Sequence, residues 1–229
     1  SLYNTFVQPA ANFLATFLDD ETKLPHASYD LWEEKFLTST YTTALVYQAL
    51  LVSAELAERF EYPDDAVRWQ TTANMLLKGS SVFFDEDRGL LRKGFILQDN
   101  GSLTFDNTLD ISSLYGSMMF GLAKINSPEI QQTVTQIENI LLDRTPSGGV
   151  PRYEYDHYFA SDPPFLGNPW LITTLWMAQY YVLAGKPEKA RYYINWVMKH
   201  SLPSGVFSEQ VNPSTGQPLS VTPLVWSHA

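Results

Sequence analysis

The chain has 229 residues, with 15 Lys and Arg against 25 Asp and Glu, for a net charge of −10. That length suits one large domain or two small ones, and an apolar fraction of 45% excludes a disordered chain. The acidic balance without a basic patch excludes a nucleic-acid footprint, no uncharged window is apolar enough for a membrane span, and the lack of cysteine excludes thiol catalysis, disulfides and thiolate metal sites together.

Hydrophobic periodicity predicts helices at about residues 2–19, 37–60, 63–84, 110–123, 127–142, 168–184 and 187–200. Pro63-Asp64-Asp65, Ser127-Pro128-Glu129 and Lys186-Pro187-Glu188 are start signals, and Gly185 and Gly205 stand where helices should stop. No charge falls in Phe36–Ala54, Ile111–Ala123 or Pro163–Gly185, whereas the helices between them carry charged stripes. Helices without a charged face are buried on all sides and striped ones face water, so buried and surface helices alternate. The connections alternate too. Those at about 20–36, 85–109, 143–167 and 201–222 are long, and those near 61–62, 124–126 and 185–186 are short. An inner and an outer ring of helices with its long loops at one end is an α/α toroid, and long ordered loops carry function. The first helix is the misfit: by order it belongs outside, yet residues 1–18 hold no charge.

In the second long connection, Leu90–Leu97 and Ser102–Phe105 flank Gln98-Asp99-Asn100-Gly101, which predicts a β-hairpin. Pro146–Val150 and Pro203–Val206 form a faint repeat. The chain opens at Ser1 with no signal-peptide pattern and closes on Pro223–Ala229, which reads as the first turn of a helix. The whole therefore reads as a segment of a longer protein.

The loops hold the chemistry. The first carries Asp30, Glu33 and Glu34 around Trp32. One reading is acids decorating a helix N-terminus. The other is a carboxyl kept protonated by an apolar neighbour and a second carboxylate, which makes a general acid. Glu209 is the one acid of the last loop. Taken alone it is a solvated loop residue, but a ring would bring it opposite Glu33. Two carboxylates across a cavity are what glycoside hydrolysis needs, roughly 6.5–9.5 Å apart in an inverting pair. Arg152 could bind sugar hydroxyls or pair with Glu154 or Asp156. Trp32, Trp170 and Trp226 lie beside the loops, where an aromatic ring can cover a pyranose face; for Trp170, a core position at a helix entrance fits as well. His26, His157, His200 and His228 are scattered, so no metal site is expected. Phosphate loops and nucleophile elbows are absent from the sequence.

Tyr29-Asp-Leu-Trp-Glu-Glu34, Gly167-Asn-Pro-Trp170, Ser208-Glu-Gln210 and Leu219-Ser-Val-Thr-Pro-Leu-Val-Trp-Ser-His-Ala229 resemble, in order, the glucoamylase family, glycoside hydrolase family fifteen. The resemblance implies an all-α fold, an (α/α)6 barrel of which about seven helices are present, and residues 1–229 as the C-terminal part of one catalytic domain. It implies exo-acting, inverting hydrolysis of α-glucosidic bonds without metal or cofactor. By motif, Glu33 would be the general acid and Glu209 the general base. Glu34, Arg152 and the Leu31 carbonyl would bind sugar, Trp226 would line the innermost subsite, and Asp30 and Trp32 would support the acid. The expected partner is an α-linked gluco-oligosaccharide or polysaccharide, with neither nucleic acid nor membrane. The family's Arg-Asp pair for the terminal sugar has no match before residue 29, so self-association or pairing with a missing N-terminal half is also expected. A trehalase, a glucodextranase and a transglycosylating relative share the motifs. A carbohydrate-binding or regulatory protein on the same toroid is the non-catalytic rival.

Overall fold

The computed structural model describes residues 2–142, 144–160 and 166–228; part of the third long connection and the final Ala229 lie outside the described residues. Seven α-helices are found among the described residues: α1 (Gln8–Thr16), α2 (Thr40–Arg59), α3 (Pro63–Gly79), α4 (Ile111–Met119), α5 (Pro128–Gln136), α6 (Leu171–Leu183) and α7 (Pro187–Lys199). The strands are β1 (Ser28–Tyr29), β2 (Phe36–Ser39), β3 (Phe84–Asp85), β4 (Leu90–Leu91), β5 (Gly94–Leu97), β6 (Leu103–Asp106), β7 (Gln210–Val211) and β8 (Pro218–Leu219). The chain divides into two compact units, Ser1–Asn107 with Gly116–Lys124, and Thr108–Tyr115 with Ile125–Ala229.

In the first unit, α2 and α3 form an antiparallel hairpin closed at Tyr62, and the start signals work as the sequence indicates. Pro63 opens α3 with Asp64 and Asp65 in its first turn, and the Ser39 hydroxyl caps α2 by accepting from the Thr42 N–H at 3.0 Å. Helix α3 buries Ala66, Trp69, Thr72, Ala73 and Leu76, at the three- and four-residue spacing of one apolar face. These meet Leu50, Ala54 and Ala57 of α2, together with Leu24, Phe83 and Phe95. The first helix joins this core through Tyr3 and Ala11 but leaves Leu2, Phe6 and Phe13 more than half exposed, so its uncharged composition does not make it a buried helix.

In the second unit, α6 and α7 pair through Leu171, Trp196 and Val197. Helix α6 is buried over most of its length, whereas α7 buries only Ala190, Tyr193, Trp196 and Val197, which matches the charge alternation. Between the two helices, Tyr181 of α6 and Tyr193 of α7 stack at 5.7 Å. Both phenols donate to Glu138 Oε1, at 2.5 and 2.9 Å. Burial first, and then the Glu138 carboxylate, push both hydroxyls well above the ordinary tyrosine range. A pKa raised on folding contributes stability that is present below the unfolded value of about 10 and is lost as pH rises through the folded value. The denaturation midpoint is therefore expected to fall from pH 9 to pH 11, and to fall less steeply in Tyr181→Phe/Tyr193→Phe. Equal slopes for the two proteins would contradict this account.

The boundaries differ from the sequence expectation in identifiable ways. The helix expected at 37–60 begins at Thr40, because Phe36–Ser39 pairs as β2 with β1 and with β5. The uncharged run that suggested one long helix is a strand followed by a helix. The helix expected at 63–84 ends at Gly79 and tightens into a 3₁₀ turn, Ser80–Phe83. The first helix stops at Thr16 rather than residue 19, where the Asp19 carboxylate accepts from the Glu21 and Thr22 N–H groups and starts a turn. Helices α4 and α6 are each shorter than expected at both ends. The end of the chain forms a 3₁₀ turn, Val225–His228.

The expected hairpin is present as β5 and β6, with Phe95 opposite Phe105 and Leu97 opposite Leu103, but its first strand starts at Gly94 rather than Leu90, because Leu90–Leu91 pairs with β3, and its second strand lies one residue later than expected. Gly101 takes φ +80° in its turn, as the Asn-Gly signal demands. The hairpin joins a four-stranded sheet in the order β1-β2-β5-β6. Gly94 permits that sheet to close: a Cβ there would lie 2.3 Å from the Thr38 carbonyl oxygen and 2.6 Å from Leu37 Cδ1. Gly94→Ala is expected to cost about 3 kcal/mol, the upper end for overpacking, read from chemical denaturation. A cost below about 0.5 kcal/mol would refute the close approach.

Candidate active site

The first acidic loop is the tip of a β-hairpin. Strands β1 and β2 pair Tyr29 with Phe36, and Asp30–Lys35 forms the turn between them. Asp30 organises that turn. Its N–H donates to the Lys35 carbonyl at 2.9 Å, and its Oδ1 accepts from the Glu34 and Lys35 N–H groups at 2.9 and 3.3 Å. The Glu33 N–H donates to the Asp30 carbonyl at 3.1 Å, which holds Glu33 at φ +58°, a strained conformation for a residue with a Cβ. Asp30 and Trp32 are buried, Leu31 is half-buried, and Glu33 and Glu34 are exposed. The acids therefore belong to a hairpin turn and do not decorate a helix N-terminus.

In the second unit Arg152 makes a bidentate pair with Asp156, at 2.7 Å to each carboxylate oxygen, with both side chains almost wholly buried. Of the two partners considered, Asp156 takes the guanidinium, while Glu154 Oε2 accepts from the Leu109 N–H. The guanidinium carbon lies 4.8 Å from the Trp170 ring and 5.1 Å from those of Tyr153 and Tyr158. A cation against several ring faces gains from their negative quadrupoles. Gly167 at φ +133° passes so close to Asp156 that a Cβ would lie 2.8 Å from its Cβ.

Trp170 is a core tryptophan at a helix entrance. It is 4% exposed, its backbone N–H donates to the Val150 carbonyl at 3.0 Å, and α6 begins at the next residue. Trp226 is more open, set edge-on to Trp176 at 6.1 Å, and Trp176 in turn stacks on Tyr115 at 4.2 Å.

Glu209 is not a solvated loop residue. It is 8% exposed, and its N–H donates to the Val221 carbonyl at 2.9 Å. The Ser220 hydroxyl donates to its Oε2, and Gln210 Nε2 lies 3.3 Å from the same oxygen. Gln210 Oε1 in turn accepts from Asn168 Nδ2 at 2.7 Å, and the same Asn168 amide donates to the Phe159 carbonyl. The Gly167–Trp170 and Ser208–Gln210 segments thus meet, joined further by the Val211 N–H donating to the Pro169 carbonyl. A carboxylate held in this way has a fixed direction and accepting lone pairs, which suits a base taking a proton from water.

Two participants escaped the sequence reading. Ser220 stands among the last loop's hydroxyls, and Lys93 follows Arg92 between the apolar pairs Leu90-Leu91 and Phe95-Ile96. Only the last left a signal, a lysine where a strand should be buried.

The family model described as glycosyl hydrolases family 15 matches residues 15–191. The chain belongs to that family. It is 31% identical, over 245 residues covering 99% of the chain and 36% of the relative, to an uncharacterized glycosyl hydrolase of Methanocaldococcus jannaschii. It is 28% identical to a probable glucoamylase of Schizosaccharomyces pombe, over 76% of the chain and 39% of the relative. It is 23% identical to trehalase 2 of Sulfolobus acidocaldarius, over 88% of the chain and 32% of the relative. Among solved structures, a bacterial glucoamylase complexed with acarbose superimposes with a TM-score of 0.81 at 24% identity, over 99% of this chain and 36% of that one. The chain thus spans between 32% and 39% of the length of these proteins. The family-15 fold class, the glucoamylase α/α toroid, is the one expected from the helix alternation.

Proposed function

We propose that this family-15 chain carries the catalytic carboxylates of an inverting, exo-acting α-glucosidase of the glucoamylase type. Glu33 serves as general acid: it protonates the glycosidic oxygen as the bond to the anomeric carbon breaks. Glu209 serves as general base: it takes a proton from the water that attacks the opposite face of the sugar. The observation that carries this reading is the environment of Glu209, a buried carboxylate aimed by Ser220 and Gln210. An inverting pair stands roughly 6.5–9.5 Å apart with room for that water, and this mechanism calls on no metal or cofactor.

In this proposal Glu34, Arg152 and the Leu31 carbonyl bind sugar hydroxyls, and Trp226 lines the innermost subsite. Trp170 backs the sugar site through its contact with Arg152, and Asp30 and Trp32 support the acid. The substrate is an α-linked gluco-oligosaccharide or polysaccharide. The match to a trehalase keeps α,α-trehalose as a second candidate. Proton NMR of maltotriose and of trehalose, each incubated with the full chain, decides between them. Early β-glucose from maltotriose is the expected result. β-Glucose from trehalose alone would assign a trehalase. Binding of either sugar without turnover would overturn the catalytic reading in favour of a carbohydrate-binding protein.

A further inference from the structure

The turn that presents Glu33 is anchored from a distant part of the chain. Lys93 Nζ lies 2.7 Å from Asp30 Oδ2, and the two side chains are 2% and 3% exposed. The other oxygen of the same carboxylate accepts from the Glu34 and Lys35 N–H groups. Lys93 is itself fixed by the sheet. Its N–H donates to the Asp106 carbonyl and its carbonyl accepts from the Thr40 N–H, both at 3.0 Å. Gly94, the next residue, lets β5 run against β2 closely enough for the ammonium to arrive.

A buried ion pair contributes little net stability compared with an apolar pair of the same volume, but it does fix geometry. Here the geometry fixed is that of a turn whose fourth residue has a strained backbone. We infer that Lys93 is a positioning residue for the general acid: through Asp30 it holds the 30–35 turn in the conformation that delivers the Glu33 carboxyl to the leaving oxygen. The inference rests on the assignment of Glu33 as the acid. A neutral residue at 93 would leave Asp30 buried without this ammonium, and the carboxylate would shift or turn away from the Glu34 and Lys35 N–H groups.

The test separates acid catalysis from folding by the choice of leaving group. A glucose leaving group needs a proton as its bond breaks, whereas fluoride departs as the anion without one, so α-glucosyl fluoride bypasses the acid and still requires the base. In the full chain, Lys93→Met is expected to lower kcat for maltotriose by about tenfold or more, while kcat for α-glucosyl fluoride stays within about twofold. Equal losses on both substrates in a folded protein, or no loss on maltotriose, would overturn the inference. The double variant Asp30→Asn/Lys93→Met buries neither charge and serves if the single variant fails to fold. It must show the same selective loss on maltotriose, and unchanged or equally reduced turnover of the two substrates would overturn the inference as well. Glu33→Gln is run beside them. If it lacks the selective loss, the acid assignment falls and the role of Lys93 falls with it. If Glu33→Gln shows the split and the Lys93 variants do not, only the role of Lys93 falls.

Discussion

Glu33→Gln and Glu209→Gln are each expected to lower kcat of the full chain on maltotriose by about 10²–10⁴-fold, the contribution of one general acid or base. The amide matches the carboxyl in shape, so the fold should survive both changes. Glu33 is exposed at the hairpin tip, and its side chain can change without disturbing the core. Glu209 is buried, but its carboxamide oxygen can still accept from the Ser220 hydroxyl. The two variants should differ on α-glucosyl fluoride: the acid variant keeps turnover, and the base variant loses it because attacking water must still give up a proton. Near-normal maltotriose turnover in either variant, with an unchanged circular dichroism spectrum, would remove that residue from its assigned role.

The second large effect is on stability. Arg152→Met removes the guanidinium from a buried bidentate pair and leaves Asp156 charged and enclosed. Breaking such a pair from one side costs about 3–5 kcal/mol, because the remaining charge loses its partner. Met can still lie against Tyr153, Tyr158 and Trp170, so lost packing adds little. Removing both charges, in Arg152→Met/Asp156→Leu, is expected to restore most of the stability, read as the urea midpoint. If Arg152 also grips sugar, the restored protein should keep a raised KM for maltotriose. A normal KM would confine Arg152 to holding its own loop, and a single variant as stable as the parent would deny the pair its structural role.

These two sites show what the sequence made legible. Helices announce themselves locally: Pro63, Ser127 and Pro187 each open the helix they signal, and the charge-poor helix α6 is the buried partner of the charge-striped α7. The short motifs also located the acid turn and the Glu209 segment. The strand β2 was hidden because four apolar and hydroxyl residues directly before a helix look like its first turn. Pairing with β1 and β5 overrode that local preference. The burial of Glu209 was invisible because loop acids usually face water, and its enclosure comes from Ser220 and Gln210 folding over it. The contact between Lys93 and Asp30 was out of reach for a similar reason: no periodicity encodes a pair between one hairpin's turn and the start of another hairpin's strand.

Asn168 bears on how the protein ages. Its side-chain amide has to remain an amide, because it donates to both Gln210 Oε1 and the Phe159 carbonyl and so keeps the Gln210 carboxamide turned toward Glu209. Asparagine ordinarily decays when the following backbone nitrogen, after losing its hydrogen, attacks the side-chain carbonyl and expels ammonia. The residue after Asn168 is Pro169, whose ring nitrogen has no hydrogen to lose. That route is chemically closed at the site, whereas it stands open at the exposed Asn100-Gly101 tip of the β5–β6 hairpin. Old protein should therefore gain its first new negative charge at the hairpin tip, with the amide chain behind Glu209 still intact.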